Sequence, residues 1–275
     1  MNLTQALAIA TATDPGMVRS HNEDSVGADA PLGLAVLADG MGGYNAGEVA
    51  SGMATSVIMS ELQRVAQEAP PYLADPDTGR TLAGRYLREQ IEKANKAIFE
   101  AAQGQPQYAG MGTTLVLALF YDNRVAIAHI GDSRAYRLRG DELVQMTRDH
   151  SLLQEQLDSG MITPEQARYS QNKNLVTRAL GIDPSVEPEI HEHDTQPGDI
   201  WLLCSDGLND MVSDGDIAMA LSALSANLPL AAQQLVQLAN DAGGRDNVSV
   251  VLVKVVRDFG APKGLLARLF GWLRD

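Results

Sequence analysis

The chain has 275 residues, 45% hydrophobic and 20% charged, which suits one globular unit or two small ones and excludes wholesale disorder. Its 35 acidic against 21 basic side chains leave a net charge of −14, which argues against a surface built for nucleic acid. The single cysteine, Cys204, excludes an internal disulfide and a Cys-rich zinc site, and fits a cytoplasmic protein.

No apolar run approaches the roughly 20 residues that cross a bilayer. Residues 1–12 are mildly apolar but lack the basic start of a signal peptide, and read as the lead-in to a strand at 8–13. Residues 33–38 read as a buried strand, and 47–67 and 81–103 as helices either side of a Pro-rich loop at 69–79. Residues 113–146 break into apolar segments at Asp-Asn, Gly-Asp-Ser and Arg-Gly-Asp, the pattern of an antiparallel meander. Capping sequences follow at Ser151 and Thr163, the second with Pro164 at the first helical position and Gln166 at the third. Residues 200–204 and 248–256 read as buried strands, the latter interior to its sheet, and 213–223 and 230–241 as helices. Strands joined mostly as hairpins favour antiparallel sheets covered by helices over a doubly wound parallel sheet.

Buried strands repeatedly end on an aspartate beside a turn residue. Residues 34–38 run into Asp39-Gly40, and 201–205 into Asp206-Gly207, while Asp246-Asn247 leads into the last strand. Glu23 and Asp24 stand at a further strand boundary. Asp-Gly is a common turn dipeptide, so one occurrence means little. If these carboxylates converge near a core, burial and mutual repulsion both oppose their ionised forms, and a divalent cation relieves both. An all-oxygen set suits Mg2+ or Mn2+ rather than zinc. Arg19 is the nearby basic residue whose planar fork suits a phosphate.

In order, these segments resemble the type 2C metal-dependent protein phosphatases in their compact bacterial form, from about residue 8 to 256. Arg19-Ser20-His21-Asn22-Glu23-Asp24 is similar to the family's opening motif, and Asp39-Gly40-Met41-Gly42-Gly43 to its second. Gly110–Thr114, Gly131–Tyr136, Thr147–Ser151, Thr177–Gly181, Ser205–Leu208 and Gly244–Ser249 complete the series. The resemblance implies an α+β fold: a four-layer α-β-β-α sandwich of two antiparallel sheets flanked by helix pairs. It implies one phosphatase domain over 1–257, with a flap near 147–180, and a short tail at 258–275.

It also implies roles. Asp39 would bridge two tightly held Mn2+ or Mg2+ ions; Asp206 and Asp246 would complete the first site, and Glu23 with the Gly40 carbonyl the second. Asp132 would share a third, looser ion with Asp206. Asp24 would hold metal-bound water, and Arg19 the substrate phosphate. Two ions roughly 3.5–4 Å apart would activate a bridging hydroxide for in-line attack on phosphoserine or phosphothreonine. The partners would be phosphoproteins made by a bacterial Ser/Thr kinase.

Met41 and Tyr44 stand where relatives often carry histidine, and Tyr169-Ser170 where their flaps carry His-Pro, which leaves the general acid open. His191 and His193, two apart on an expected strand, read as a solvated face, and His150 as a structural residue at the flap base. Residues 263–274 carry an amphipathic stripe that could pack on the domain, a partner or a membrane surface. Two alternatives stay open: a catalytically silent phosphoprotein-binding or scaffold member, and a phosphohydrolase of small molecules.

Overall fold

A computed structural model describes residues 3–43, 46–167 and 175–261. Tyr44, Tyr169-Ser170 and the stripe at 263–274 lie outside the described residues.

Strands β1 (Leu7–Asp14), β2 (Asp24–Asp29) and β3 (Leu34–Met41) lead to helices α1 (Ala46–Glu68) and α2 (Leu82–Gly104). Strands β4 (Gly112–Thr113), β5 (Leu115–Tyr121), β6 (Arg124–Ile130), β7 (Arg134–Arg139) and β8 (Glu142–Gln145) follow, then the short helices α3 (Leu152–Asp158) and α4 (Pro164–Ala167). Strands β9 (Glu189–Asp194) and β10 (Ile200–Cys204), helices α5 (Asp206–Asn209), α6 (Asp214–Ala223) and α7 (Leu228–Asp241), and strand β11 (Val248–Val255) complete the chain.

The strands form two antiparallel sheets, in the orders β1-β11-β10-β7-β8 and β2-β3-β5-β6-β9, with β4 paired to β3. Alternate residues of one strand go to different cores, as the period of two requires. Ala35, Leu37, Trp201, Leu203, Val251 and Val253 meet between the sheets. Leu34 and Val36 pack under α1 and α2, while Leu202, Val250 and Leu252 pack under α6 and α7. Both faces of these strands are therefore covered. This is the α-β-β-α sandwich, and it explains why the strands read as unbroken apolar runs rather than alternating ones.

The expected meander over 113–146 is corrected. It is two hairpins in different sheets, β5-β6 in one and β7-β8 in the other. Asp122 and Asn123 close the first with φ of 43° and 56°, the left-handed pair that a two-residue hairpin loop needs. Gly131, at φ 100°, opens the crossing from one sheet to the other. Helix α7 starts two residues before the expected position, because Asn227 caps it by accepting from Leu230 N and Pro229 fits the first turn. The Thr163 capping box is present: Gln166 N donates to Thr163 Oγ1 and Thr163 N to Gln166 Oε1. Beyond Arg257 the chain is still packed, with Phe259 6% exposed against the inter-sheet core.

Candidate metal centre

The acidic end of the molecule follows from register. Asp24, opening β2, pairs directly with Asp39 near the end of β3. In the other sheet Cys204, ending β10, pairs with Val250 near the start of β11, so Asp206 and Asp246 flank the same end. The sheets are stitched together there: Ser205 Oγ donates to Asp24 Oδ2 at 2.8 Å and accepts from Ser249 N at 3.0 Å. Behind them a chain of polar contacts runs from Ser249 Oγ to Thr13 Oγ1 (2.7 Å) and on to Asn22 Nδ2 (2.7 Å).

Asn247 fixes the loop that carries Arg19 and Glu23. Its Nδ2 donates to Pro15 O and His21 O, and its Oδ1 accepts from Glu23 N. Ser51 of α1 then donates to Glu23 O at 2.6 Å. Glycines allow the close approach. A Cβ on Gly40 would lie 2.1 Å from Gly47 O, and one on Gly207 would lie 2.0 Å from Asn247 O. On Asp39, the main-chain N donates to Thr114 Oγ1, and the carbonyl accepts from Thr113 Oγ1 and Thr114 N.

The carboxylates are held against their preference. Burial, then the charges of Asp24, Asp206, Asp132 and Asp246, hold the Asp39 carboxyl well above the usual range. Burial, then Asp132, Asp210 and Asp246, does the same to Asp206. Burial pushes Asp24 up to about 6, against the hydrogen bonds of Ser249 and Ser205. Burial and then Asp149 push Asp132 up to about 6. Glu23 is raised by burial and partly relieved by Arg19. Arg19 is the counter-charge at the rim, its Nη2 2.7 Å from Asp246 Oδ2.

Glu23, Asp24, Asp39, Asp132, Asp206 and Asp246 are thus brought together, with Arg19 beside them and Gly40 between Glu23 and Gly47 in the backbone. Asp24 Oδ1 is buried and has no hydrogen bond among the described residues. An orphaned carboxylate oxygen inside a repelling, all-oxygen group is what a hard divalent cation satisfies, so these residues fit Mn2+ or Mg2+. Sequence reasoning missed Asp210, whose charge acts on both Asp132 and Asp206. It also gave no roles to Thr13, Ser205, Asn247 and Ser249. Asp210 had one visible signal, its place four residues after Asp206.

The carboxylates are not drawn into one tight cluster; the group among the described residues whose possible ligand atoms all lie within 4.8 Å of one another is His129, His150 and Glu189. Their hydrogen bonds speak against a metal. Gly131 N donates to His150 Nδ1, so Nε2 carries the proton and faces Glu189 Oε2 at 3.3 Å. His129 Nε2 faces the Arg148 carbonyl at 2.8 Å and is the protonated nitrogen too. The two rings stack 4.7 Å apart, and the trio braces the start of the segment that leads into α3. The expected structural role of His150 matches that geometry. Of the two histidines expected on a solvated face, His191 is exposed, whereas His193 is half-buried, 6.2 Å from the Trp201 ring.

A family model described as protein phosphatase 2C matches residues 18–240. The chain belongs to the protein phosphatase 2C family. It is 41% identical over 266 residues to the serine/threonine protein phosphatase PstP of Mycobacterium tuberculosis, covering 96% of this chain and 48% of that one. The chain therefore spans about half the length of PstP. It is 38% identical over 247 residues to the serine/threonine phosphatase stp of Listeria monocytogenes serovar 1/2a, covering 88% and 93%. A crystal structure of the PstP catalytic domain in complex with two manganese ions superposes with a TM-score of 0.78 at 41% identity, covering 91% of this chain and 99% of that one.

Proposed function

We propose that this chain is a protein serine/threonine phosphatase that hydrolyses phosphoserine and phosphothreonine with Mn2+ or Mg2+. Residues 1–257 would form the catalytic domain and 147–180 its flap. The observation that carries this reading is the group around Asp39, whose carboxylates raise one another and leave Asp24 Oδ1 unsatisfied. Asp39 would bridge two ions, with Asp206 and Asp246 on one and Glu23 and the Gly40 carbonyl on the other. Asp132 would share a looser third ion with Asp206.

When bound, the ions supply positive charge to the phosphoryl oxygens and acidify water at neutral pH. The rest belongs to the chain. Arg19, more than half exposed, can turn its fork from Asp246 to a phosphate and hold it bidentately. Asp24, pinned through Oδ2 by Ser205, presents Oδ1 as the free acceptor for a proton of the attacking water. Asn247 keeps Arg19 and Glu23 in one rigid loop. Met41, directly after Asp39-Gly40, carries no titratable proton, so it is not the acid for the leaving alkoxide.

The substrates would be phosphoproteins made by a Ser/Thr kinase in the bacterial cytoplasm. Among the described residues no helix is long and apolar enough to cross a membrane. The discriminating experiment compares phosphate release from a phosphothreonine peptide and from a nucleotide, with Mn2+ and with EDTA. Metal-dependent release favouring the peptide supports the proposal. Release favouring the nucleotide makes the chain a small-molecule phosphohydrolase, and no release from a Mn2+-binding protein makes it a binding module.

A further inference from the structure

A cavity of about 770 Å3 opens away from the carboxylates and is lined by none of them. Its walls are the loop at 72–81, the first turns of α2, the start of β6 and the edge strand β9. In a chain of net charge −14, four arginines line this one cavity: Arg80, Arg85, Arg88 and Arg124. Asp75 takes Arg85 (3.3 Å) and Glu192 takes Arg124 (2.8 Å). The guanidinium groups of Arg80 and Arg88 are exposed and have no hydrogen bond or ion pair among the described residues. Only Asp77 remains in the lining to oppose them. Arg85 is fully engaged, its shielded Nε facing Glu89 Oε1 at 3.8 Å.

The start of α2 is already satisfied: the Thr81 hydroxyl donates to Glu192 Oε1, Leu82 N to Leu73 O and Ala83 N to Pro71 O. The positive charge open to a ligand is therefore that of the arginines. Tyr72 and Ile190 give the lining an apolar part. The volume falls inside the range of roughly 300–1,000 Å3 typical of small-molecule sites.

We propose that this cavity is a second ligand site, separate from the metal centre, for a phosphoryl group carried on a small aromatic or apolar body, the chemistry of a nucleoside monophosphate. Arg80 and Arg88 hold the phosphoryl oxygens, and the body lies against Tyr72 and Ile190. The inference does not rest on the phosphatase reading, because no residue of the metal centre takes part.

The test is calorimetric titration of the Mg2+-loaded chain with AMP, adenosine and inorganic phosphate, repeated with the double variant Arg80→Gln/Arg88→Gln and with Arg19→Gln. The expected result is saturable AMP binding that adenosine does not reproduce. Loss of two charge-assisted contacts weakens it more than about tenfold in the double variant. Arg19→Gln leaves it unchanged. The double variant keeps the wild-type circular dichroism spectrum and urea midpoint, which shows that it is folded. Absence of AMP binding overturns the proposal. So does adenosine binding as tightly as AMP, or AMP binding that survives in the double variant and is lost in Arg19→Gln.

Discussion

Arg19 Nη2 lies 2.7 Å from Asp246 Oδ2, at the mouth of the carboxylate group rather than inside it. The guanidinium is held chiefly by that hydrogen bond and the Asp246 charge, with weaker attraction from Glu23 and Asp206. A cation thus already sits beside a residue assigned to the first ion. It is loosely held, because 54% of the arginine side chain faces solvent.

Arg19→Gln should therefore separate substrate handling from metal holding. A positioned cation on a transferring phosphoryl group contributes about 10²–10³ in rate. The variant should lose that much kcat/KM on a phosphothreonine peptide while binding Mn2+ at least as tightly, since Asp246 loses a competitor. Steady-state kinetics and Mn2+ calorimetry read the two effects. Loss of Mn2+ binding with unchanged phosphate affinity would reverse the assignment.

The contribution of the buried carboxyls to metal-free stability should fall as pH rises. Asp24 and Asp132 are both pushed up to about 6 from 3.8, first by burial. Between those values the folded chain keeps protons that the unfolded chain has released, so their contribution is full below about pH 4 and is lost as pH passes through about 6. The imidazoles of His129, His150 and His193, held below the usual range first by burial, act the other way and cost stability as pH falls. Asp132→Asn isolates the carboxyl part: in EDTA it should raise the urea midpoint over the wild type more near pH 7.5 than near pH 5. Mn2+ should raise the wild-type midpoint at the higher pH most, because it favours the ionised carboxylates. An Asp132→Asn effect equal at the two pH values would contradict the frustration argued for this group.

Asn247→Ala removes three hydrogen bonds that tie residues 15, 21 and 23 to β11. Leaving such buried partners unsatisfied costs about 1–3 kcal/mol. Denaturant unfolding should show a loss of that size, with reduced activity, since both Arg19 and Glu23 depend on this loop. A stable variant of normal activity would show that the loop is held some other way.

Gly207→Ala tests the packing behind Asp206. Its Cβ would fall 2.0 Å from Asn247 O and 2.9 Å from Asn247 C, both backbone atoms that cannot simply rotate away. The start of α5 must shift and carry Asp206 with it. Mn2+ affinity and activity should both fall by at least about tenfold, as misplaced ligating geometry does, even where the variant stays folded by circular dichroism. Gly215→Ala, with nothing nearer than 3.8 Å, should be neutral.

Much of this was legible before any coordinates. Strands such as β10 and β11 stand out because both their faces are buried, and Asp39, Asp206 and Asp246 stand out because they lie at the ends of such strands. Three things were not. The crossing at Gly131 between sheets looks like any tight turn in the sequence, so two hairpins read as one meander. The hydroxyls of Ser205 and Ser249 carry no signal until the two sheets stack and bring them to Asp24, with Thr13 behind Ser249. The half-burial of His193 beside Trp201 of the other sheet is something no local pattern records. The resemblance supplied the roles of Gly40 and Asp132; neither position carries a signal of its own.

The most direct test of the central claim is the number of Mn2+ ions bound per chain, measured by calorimetry on the wild type and on Asp39→Asn. If the group around Asp39 is the catalytic centre, the wild type binds two ions tightly, while Asp39→Asn binds neither tightly and releases no phosphate from the phosphothreonine peptide. A wild type that hydrolyses the peptide without bound metal, or an Asp39→Asn variant that keeps both ions and the activity, would contradict the account.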